Sequence, residues 1–242
     1  PKVLILTDWF SPGFKAGGPI QSVKNLVDHL GDEIDFSIIT GESDLGDEER
    51  YKVKEFDSWI SEKNHRVCYT TSANRSIIIS SELSDKNYRY IYLNSFFSLN
   101  FTLKPLIECR RKGILNKIVL APRGMLGEGA LRLKPLKKNL FLLVFKFFGF
   151  HKLIRFHSTD TSETLDIFSV LGKKIKLSEV SNLHASLKPR KPIEITSPVR
   201  FVSASRISPK KNLDFAIKAL NETDRTVAVS YTHLTLPTTP YV

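Results

Sequence analysis

Apolar residues along this chain fall into short runs separated by segments of helical periodicity. Lys2–Thr7 ("KVLILT") is a continuous apolar run, the pattern of a parallel strand buried on both faces. Pro19–Leu30 sets Ile20, Val23, Val27 and Leu30 on one helical face, and Asp35–Thr40 ("DFSIIT") reads as the next strand. Strand, helix and strand make a βαβ unit, whose crossover is right-handed. Further strands are predicted at Arg66–Thr70, Ser76–Ser80, Arg89–Leu93, Lys117–Ala121, Leu153–His157 and Lys176–Val180. Helices are predicted over Leu99–Lys112, in a long stretch after Ala121, and over Thr161–Leu171. Gly41 to about His65 is acidic and mixed in charge, and predicts an exposed insertion. The alternation as a whole predicts an α/β fold with a doubly wound parallel sheet, which takes ligands at the carboxyl ends of its strands.

A proline-rich, charged stretch, Leu187–Pro198 ("LKPRKPIEITSP"), predicts a linker after a first domain of residues 1–186. A second α/β unit then starts, with a strand at Val199–Ala204, the loop "SRISPKK", a helix over Asn212–Leu220 and a strand near Thr226–Val229. Two strands and one helix cannot close a core, so residues 199–228 are expected to be the beginning of an incomplete domain.

Charge narrows the partners. The 242 residues carry 36 Lys and Arg against 25 Asp and Glu, a net +11 that favours phosphates, nucleic acid or an acidic membrane surface. A basic nucleic-acid-binding protein is one alternative, but no zinc finger, RRM or helix-turn-helix signature occurs and the cations are spread through the α/β elements. A Rossmann oxidoreductase binding a nucleotide cofactor is another, weakened by the missing G-x-G-x-x-G. Cys68 and Cys109 form no C-x-x-C, the histidines lack metal-ligand spacing and no D-x-D occurs, so neither disulfide nor metal is expected and a reducing cytoplasm is the expected location. The chain opens directly on the first strand without a signal-peptide pattern, and no run reaches the roughly 18–20 apolar residues of a spanning helix.

Two segments stand out. "FSPGFKAGGPIQSVKNL" is not a Walker loop: Gly13 and Gly18 have the spacing, but Pro19 and Ile20 stand where Lys and Ser or Thr should follow. A helix opening at Gly18-Pro19 directs free N–H groups at whatever lies above the first strand, so the loop is either a tight turn or a phosphate cradle. Leu131–Lys152 ("LRLKPLKKNLFLLVFKFFGFHK") combines large apolar residues with lysines. It reads either as a buried helix on the sheet or as an interfacial helix on an anionic membrane, touching it through Lys134, Lys137, Lys138, Phe141, Phe145 and Phe148.

Three stretches together resemble the large retaining glycosyltransferase family 4, whose GT-B fold sets two Rossmann-like domains face to face. "FKAGGPIQSVKNLVDHL" is similar to the family's opening Gly-Gly loop and helix. "LAPRGML" with "FHSTDTSETLDI" resembles the end of the acceptor-side domain in bacterial polysaccharide-assembly members. "FVSASRISPKKNLDFAIKAL" resembles the G-R-x-x-x-x-K-G/N signature that opens the nucleotide-sugar domain, with Ser205 in place of the usual Gly. The resemblance implies transfer of a sugar from a nucleotide-sugar donor to a polysaccharide or lipid-linked glycan, with retention of configuration and no essential metal or cofactor. It implies that Gly17, Gly18, Arg206 and Lys211 meet the donor diphosphate and sugar. Arg123, where many relatives place a His, and His157 are implied at the reacting centre. Nucleic acid is not an expected partner, and peripheral contact with the cytoplasmic membrane face is. Residues 229–242 continue none of this pattern and are expected to be a non-native tail, with the chain itself inactive in transfer.

Overall fold

A computed structural model describes residues 1–185 and 212–222, and the chain divides into two units, Pro1–Leu187 and Lys188–Val242. In the first unit, β1 (Lys2–Leu6), α1 (Gly18–Leu30) and β2 (Asp35–Thr40) form the expected βαβ unit. A short antiparallel strand β3 (Trp59–Ser61) pairs with β4 (His65–Tyr69), and α2 (Arg75–Glu82) leads to β5 (Tyr88–Leu93). A π-helical turn, Leu99–Leu103, runs into α3 (Lys104–Arg111), followed by β6 (Ile118–Leu120). Then come α4 (Glu128–Leu131), α5 (Pro135–Phe147), α6 (Phe150–Leu153), β7 (Arg155–Ser158), α7 (Thr161–Leu171) and β8 (Lys176–Glu179).

The eight strands lie in the order β3-β4-β2-β1-β5-β6-β7-β8, parallel except for β3. Strand order reverses between β1 and β5, because the chain builds outward in one direction from β1 and then restarts at β5 in the other. This is a Rossmann-like sheet with one switch point. Side chains alternate between two cores: Leu4 and Leu6 pack with α2, α3, α5 and α7, whereas Ile5 packs with Val23 and Val27 of α1. Helices on both faces make the sheet doubly wound.

Three sequence expectations change. Ser76–Ser80 is not a strand but lies inside α2. Its isoleucine run favours β structure locally, but β4 and β5 are parallel strands on opposite sides of the β2–β1 pair and need a crossover helix between them. Only Ile79 of that run is buried, with Leu83 one turn on, the pattern of one helical face. The acidic segment after Gly41 is not simply an exposed insertion: Asp44 and Tyr51 are buried and β3 extends the sheet. The helices expected over Leu99–Lys112 and after Ala121 are each divided into shorter pieces.

In the second unit the described element is a helix, α8 (Leu213–Asn221), where Asn212–Leu220 was expected. The linker, the flanking strands, Arg206, Lys211 and the tail lie outside the described residues.

Candidate functional site

The switch point gathers polar side chains just beyond the ends of β1 and β5. Asn94, one residue past β5, is buried and acts as its centre. Its Nδ2 donates to Thr7 Oγ1 at 3.3 Å and to the Pro19 carbonyl at 3.1 Å, tying β1 to the first turn of α1. Its Oδ1 accepts from Nε of Arg123 at 2.7 Å.

Arg123 follows β6 with φ 57°, the left-handed region that costs a non-glycine residue about 1 kcal/mol or more. That geometry aims the guanidinium back across the sheet ends. Nη1 donates to Asn182 Oδ1 at 2.6 Å and Nη2 to the Tyr92 hydroxyl at 2.8 Å. All three acceptors are neutral, and among the described residues Arg123 forms no ion pair. The charge is positioned without a direct ionic partner among the described residues.

What fixes that backbone is Glu163 of α7. This carboxylate is only 5% exposed. It accepts from the Gly124 N–H at 2.6 Å, and from the N–H and hydroxyl of Thr159, each at 2.8 Å. A buried carboxylate satisfied by backbone donors is a rigid anchor.

His157 sits on β7 between two partners, Tyr92 Oη at 2.7 Å from Nδ1 and the Val180 carbonyl at 2.8 Å from Nε2. A carbonyl can only accept, so Nε2 carries the proton, and in the neutral ring Nδ1 accepts from Tyr92. Burial, assisted by the positive charge of Arg123, depresses the His157 pKa below its ordinary 6.5, although the Val180 hydrogen bond opposes this. Beyond β8, residues 180–183 are thus held by three side chains: His157 at Val180, Arg123 at Asn182, and Asn25 Nδ2 at the Leu183 carbonyl at 2.7 Å.

The glycine loop stands on the other side of Asn94. Asp44 of the acidic segment accepts the N–H groups of Phe14 and Lys15 at 2.7 and 3.0 Å, and Lys15 pairs with Asp47. The segment read as an insertion therefore shapes the loop. Gly17 has φ 68° and ψ −117°, open to glycine but strained for any L side chain. Gly18 differs, since a Cβ built there meets nothing within 4 Å. A side chain is thus strained at Gly17 but not obstructed at Gly18. Asp8, just past β1, accepts from Ser98 at 2.8 Å while its Oδ2 is buried without a partner. Burial raises its pKa, against the Ser98 hydrogen bond and the charge of Arg75.

The structure brings Arg123 and His157 together through Tyr92, and connects them through Asn94 to the turn that holds Gly17 and Gly18. Sequence reasoning missed Tyr92, Asn94, Asn182, Glu163 and Asp44. A polar residue directly after an apolar strand, as in "YLNS", was a usable sign of Asn94. Nothing local marks Asn182 or Asp44, whose partners lie far away in sequence. Among the described residues no three His, Cys, Asp or Glu side chains gather as for a metal ion, and no helix is long and apolar enough to cross a membrane.

The proposed membrane residues separate into two groups. Phe145 is fully buried in an aromatic cluster with Phe96, Phe150 and Phe156, and Phe141 and Phe148 are half-buried against the same core. These phenylalanines are core, because α5 must cover the sheet it crosses. Lys138 is also turned inward: it donates to the Ala130 carbonyl, sits 5.1 Å from the centre of the Phe97 ring, and has its pKa lowered by burial. Lys134 and Lys137 are exposed.

No protein-family model and no curated protein matches the chain. Among solved structures it is similar to a sucrose-phosphate synthase from Thermosynechococcus elongatus, at 11% identity and a TM-score of 0.47. That similarity covers 75% of this chain and 47% of the other, so the chain spans less than half the length of that enzyme.

Proposed function

We propose that the chain is the acceptor-side part of a retaining glycosyltransferase of the family 4 type, with the GT-B architecture and the beginning of its nucleotide-sugar domain. The reaction is transfer of a sugar from a nucleotide-sugar donor to a polysaccharide or lipid-linked glycan, the latter met at an anionic membrane surface on the cytoplasmic side. It calls for no metal or cofactor. Two lines support this reading: the three sequence stretches that resemble the family, and a first domain with the Rossmann-like topology such an enzyme requires.

One observation carries the site. Arg123 is a cation fixed by three neutral acceptors at the carboxyl edge, and among the described residues no carboxylate pairs with it directly, the buried Glu163 being held instead by the Gly124 N–H and by Thr159. Such a position suits an anion brought by a ligand, and phosphate is the anion this chemistry supplies. In this reading Gly17 and Gly18 give the donor close backbone approach, Arg206 and Lys211 hold its diphosphate, and His157 acts through Tyr92 and Arg123.

Calorimetric titration of the 242-residue chain with a nucleoside diphosphate and with a phosphorylated monosaccharide tests the site. Loss of one charged hydrogen bond in Arg123→Gln should weaken binding by roughly tenfold or more. Equal affinity in the variant, or no binding of either probe to the native chain, would overturn the assignment.

A further inference from the structure

Helix α5 has a second face that the core does not use. Leu136, Leu140, Leu143 and Phe147 follow one another at spacings of four, three and four along it, with Leu133 three residues ahead. The four on α5 form one stripe, opposite the buried Leu142 and Phe145, and Leu133 lies just before the helix. Their exposures are 67% for Leu133, 85% for Leu136, 65% for Leu140 and Leu143, and 82% for Phe147. A run of large exposed apolar side chains of this kind marks an interaction surface. The helix start is firmly set, by Lys134 in the left-handed conformation and Pro135 in the first turn.

The rim of this stripe is cationic. From Arg132 to Lys152 the sequence holds Arg132, Lys134, Lys137, Lys138, Lys146 and Lys152 and no Asp or Glu. All but Lys138 are exposed, and Arg132 is paired with Glu128 of α4. Arg110 of α3 donates to the Phe148 carbonyl at the end of the helix, and the neighbouring Arg111 pairs with Glu108. Long basic side chains beside exposed leucines can reach outward with their charge while their stems follow the apolar surface.

We infer that this face of α5 docks on an anionic lipid bilayer, with Leu133, Leu136, Leu140, Leu143 and Phe147 entering the acyl boundary and Lys134, Lys137, Lys146 and Lys152 meeting the headgroups. Charge selects this occupant over a second copy of the chain. Pairing α5 with itself would bring the lysines flanking the stripe, for which no ion pair is found among the described residues, against their own copies, whereas anionic headgroups neutralise them. A helix lying flat with one face in the sheet core and the other in the interface uses both apolar faces. The surface deepens the membrane part of the reading above and needs none of its transfer chemistry, since vesicle binding calls for no donor. It also replaces Phe141, Phe145 and Phe148 as the residues in contact.

The test is co-sedimentation of the full chain with vesicles of phosphatidylcholine alone and with equal parts phosphatidylcholine and phosphatidylglycerol. Binding is expected only to the anionic vesicles, and should fall as salt is added. Leu136→Ser combined with Phe147→Ser should lower it by roughly tenfold or more, with an unchanged circular dichroism spectrum because both side chains are exposed. Lys137→Glu with Lys146→Glu should weaken it as well, and a second, separately folded variant keeps the test independent of one substitution. Equal binding to neutral vesicles, absence of binding, or full binding by the serine variant would overturn the inference. So would concentration-dependent self-association that the serine variant abolishes, which would assign the face to a second copy.

Discussion

The Tyr92 hydroxyl stands 2.7 Å from Nδ1 of His157 and receives a hydrogen bond from Arg123 on its other side. The direction of this relay depends on the imidazole being neutral. When His157 takes a proton, Nδ1 becomes a donor, and Tyr92 then faces two donors at once.

That relationship gives stability a pH dependence. The His157 pKa is lowered on folding, so the unfolded chain binds the proton more readily. Its stabilisation is complete above the ordinary value of 6.5 and is lost as pH falls through the depressed folded value. His65 and His151 are lowered in the same direction, chiefly by burial. Thermal melts should therefore show the melting temperature falling on acidification below that point. In His157→Gln, which retains hydrogen bonding but cannot titrate, the fall should be shallower. An identical profile in native and variant chains would rule out His157 as a contributor.

At Arg123 the backbone and the side chain can be separated. Both Arg123→Gly and Arg123→Ala remove the guanidinium, but only glycine relieves the φ of 57°. The glycine variant should be the more stable of the two by about 1 kcal/mol in urea unfolding. Equal stabilities would mean that the loop relaxes once the three hydrogen bonds are gone.

Gly17 and Gly18 should part company on substitution. Gly17→Ala forces a side chain into φ 68° and ψ −117°, and should destabilise the chain by about 1 kcal/mol or more. Gly18→Ala meets open space and should leave stability unchanged or slightly higher. Loss of nucleoside diphosphate binding in a fully stable Gly18→Ala chain would then report directly on donor approach.

Asp44 should matter more than its place in an acidic loop suggests. Asp44→Ala leaves the Phe14 and Lys15 N–H groups without their carboxylate, and should cost about 2 kcal/mol or more. Surface acids nearby provide the control: Glu48→Ala, exposed in the same segment, should stay within about 0.5 kcal/mol.

The two faces of α5 predict opposite results for neighbouring phenylalanines. Phe145→Ala opens a cavity in the aromatic cluster and should cost about 3–5 kcal/mol. Phe147→Ser, on the exposed stripe, should change stability by no more than about 0.5 kcal/mol. Comparable losses at both positions would place the whole helix in the core.

Sequence alone determined most of the parallel strands and, apart from the crossover between β4 and β5, the helices that join them, because a buried strand is a nearly unbroken apolar run and an amphipathic helix repeats along its own length. It located the Gly-Gly turn and the strand ends carrying Arg123 and His157 for the same reason: loop composition and strand limits are local. Tertiary structure decided everything that depends on which segments meet. The isoleucines of α2 have a local preference for strand, overruled by the need to cross two strands between β4 and β5. Arg123 acquires its partners only where β5, β6 and the segment after β8 come together, and no spacing in the chain encodes Asn94 and Asn182 as one acceptor set. In α5, residues two apart have opposite fates, Phe145 buried and Phe147 exposed. Both faces of that helix are apolar, so its own periodicity could not say which would turn to the sheet; the sheet's position did.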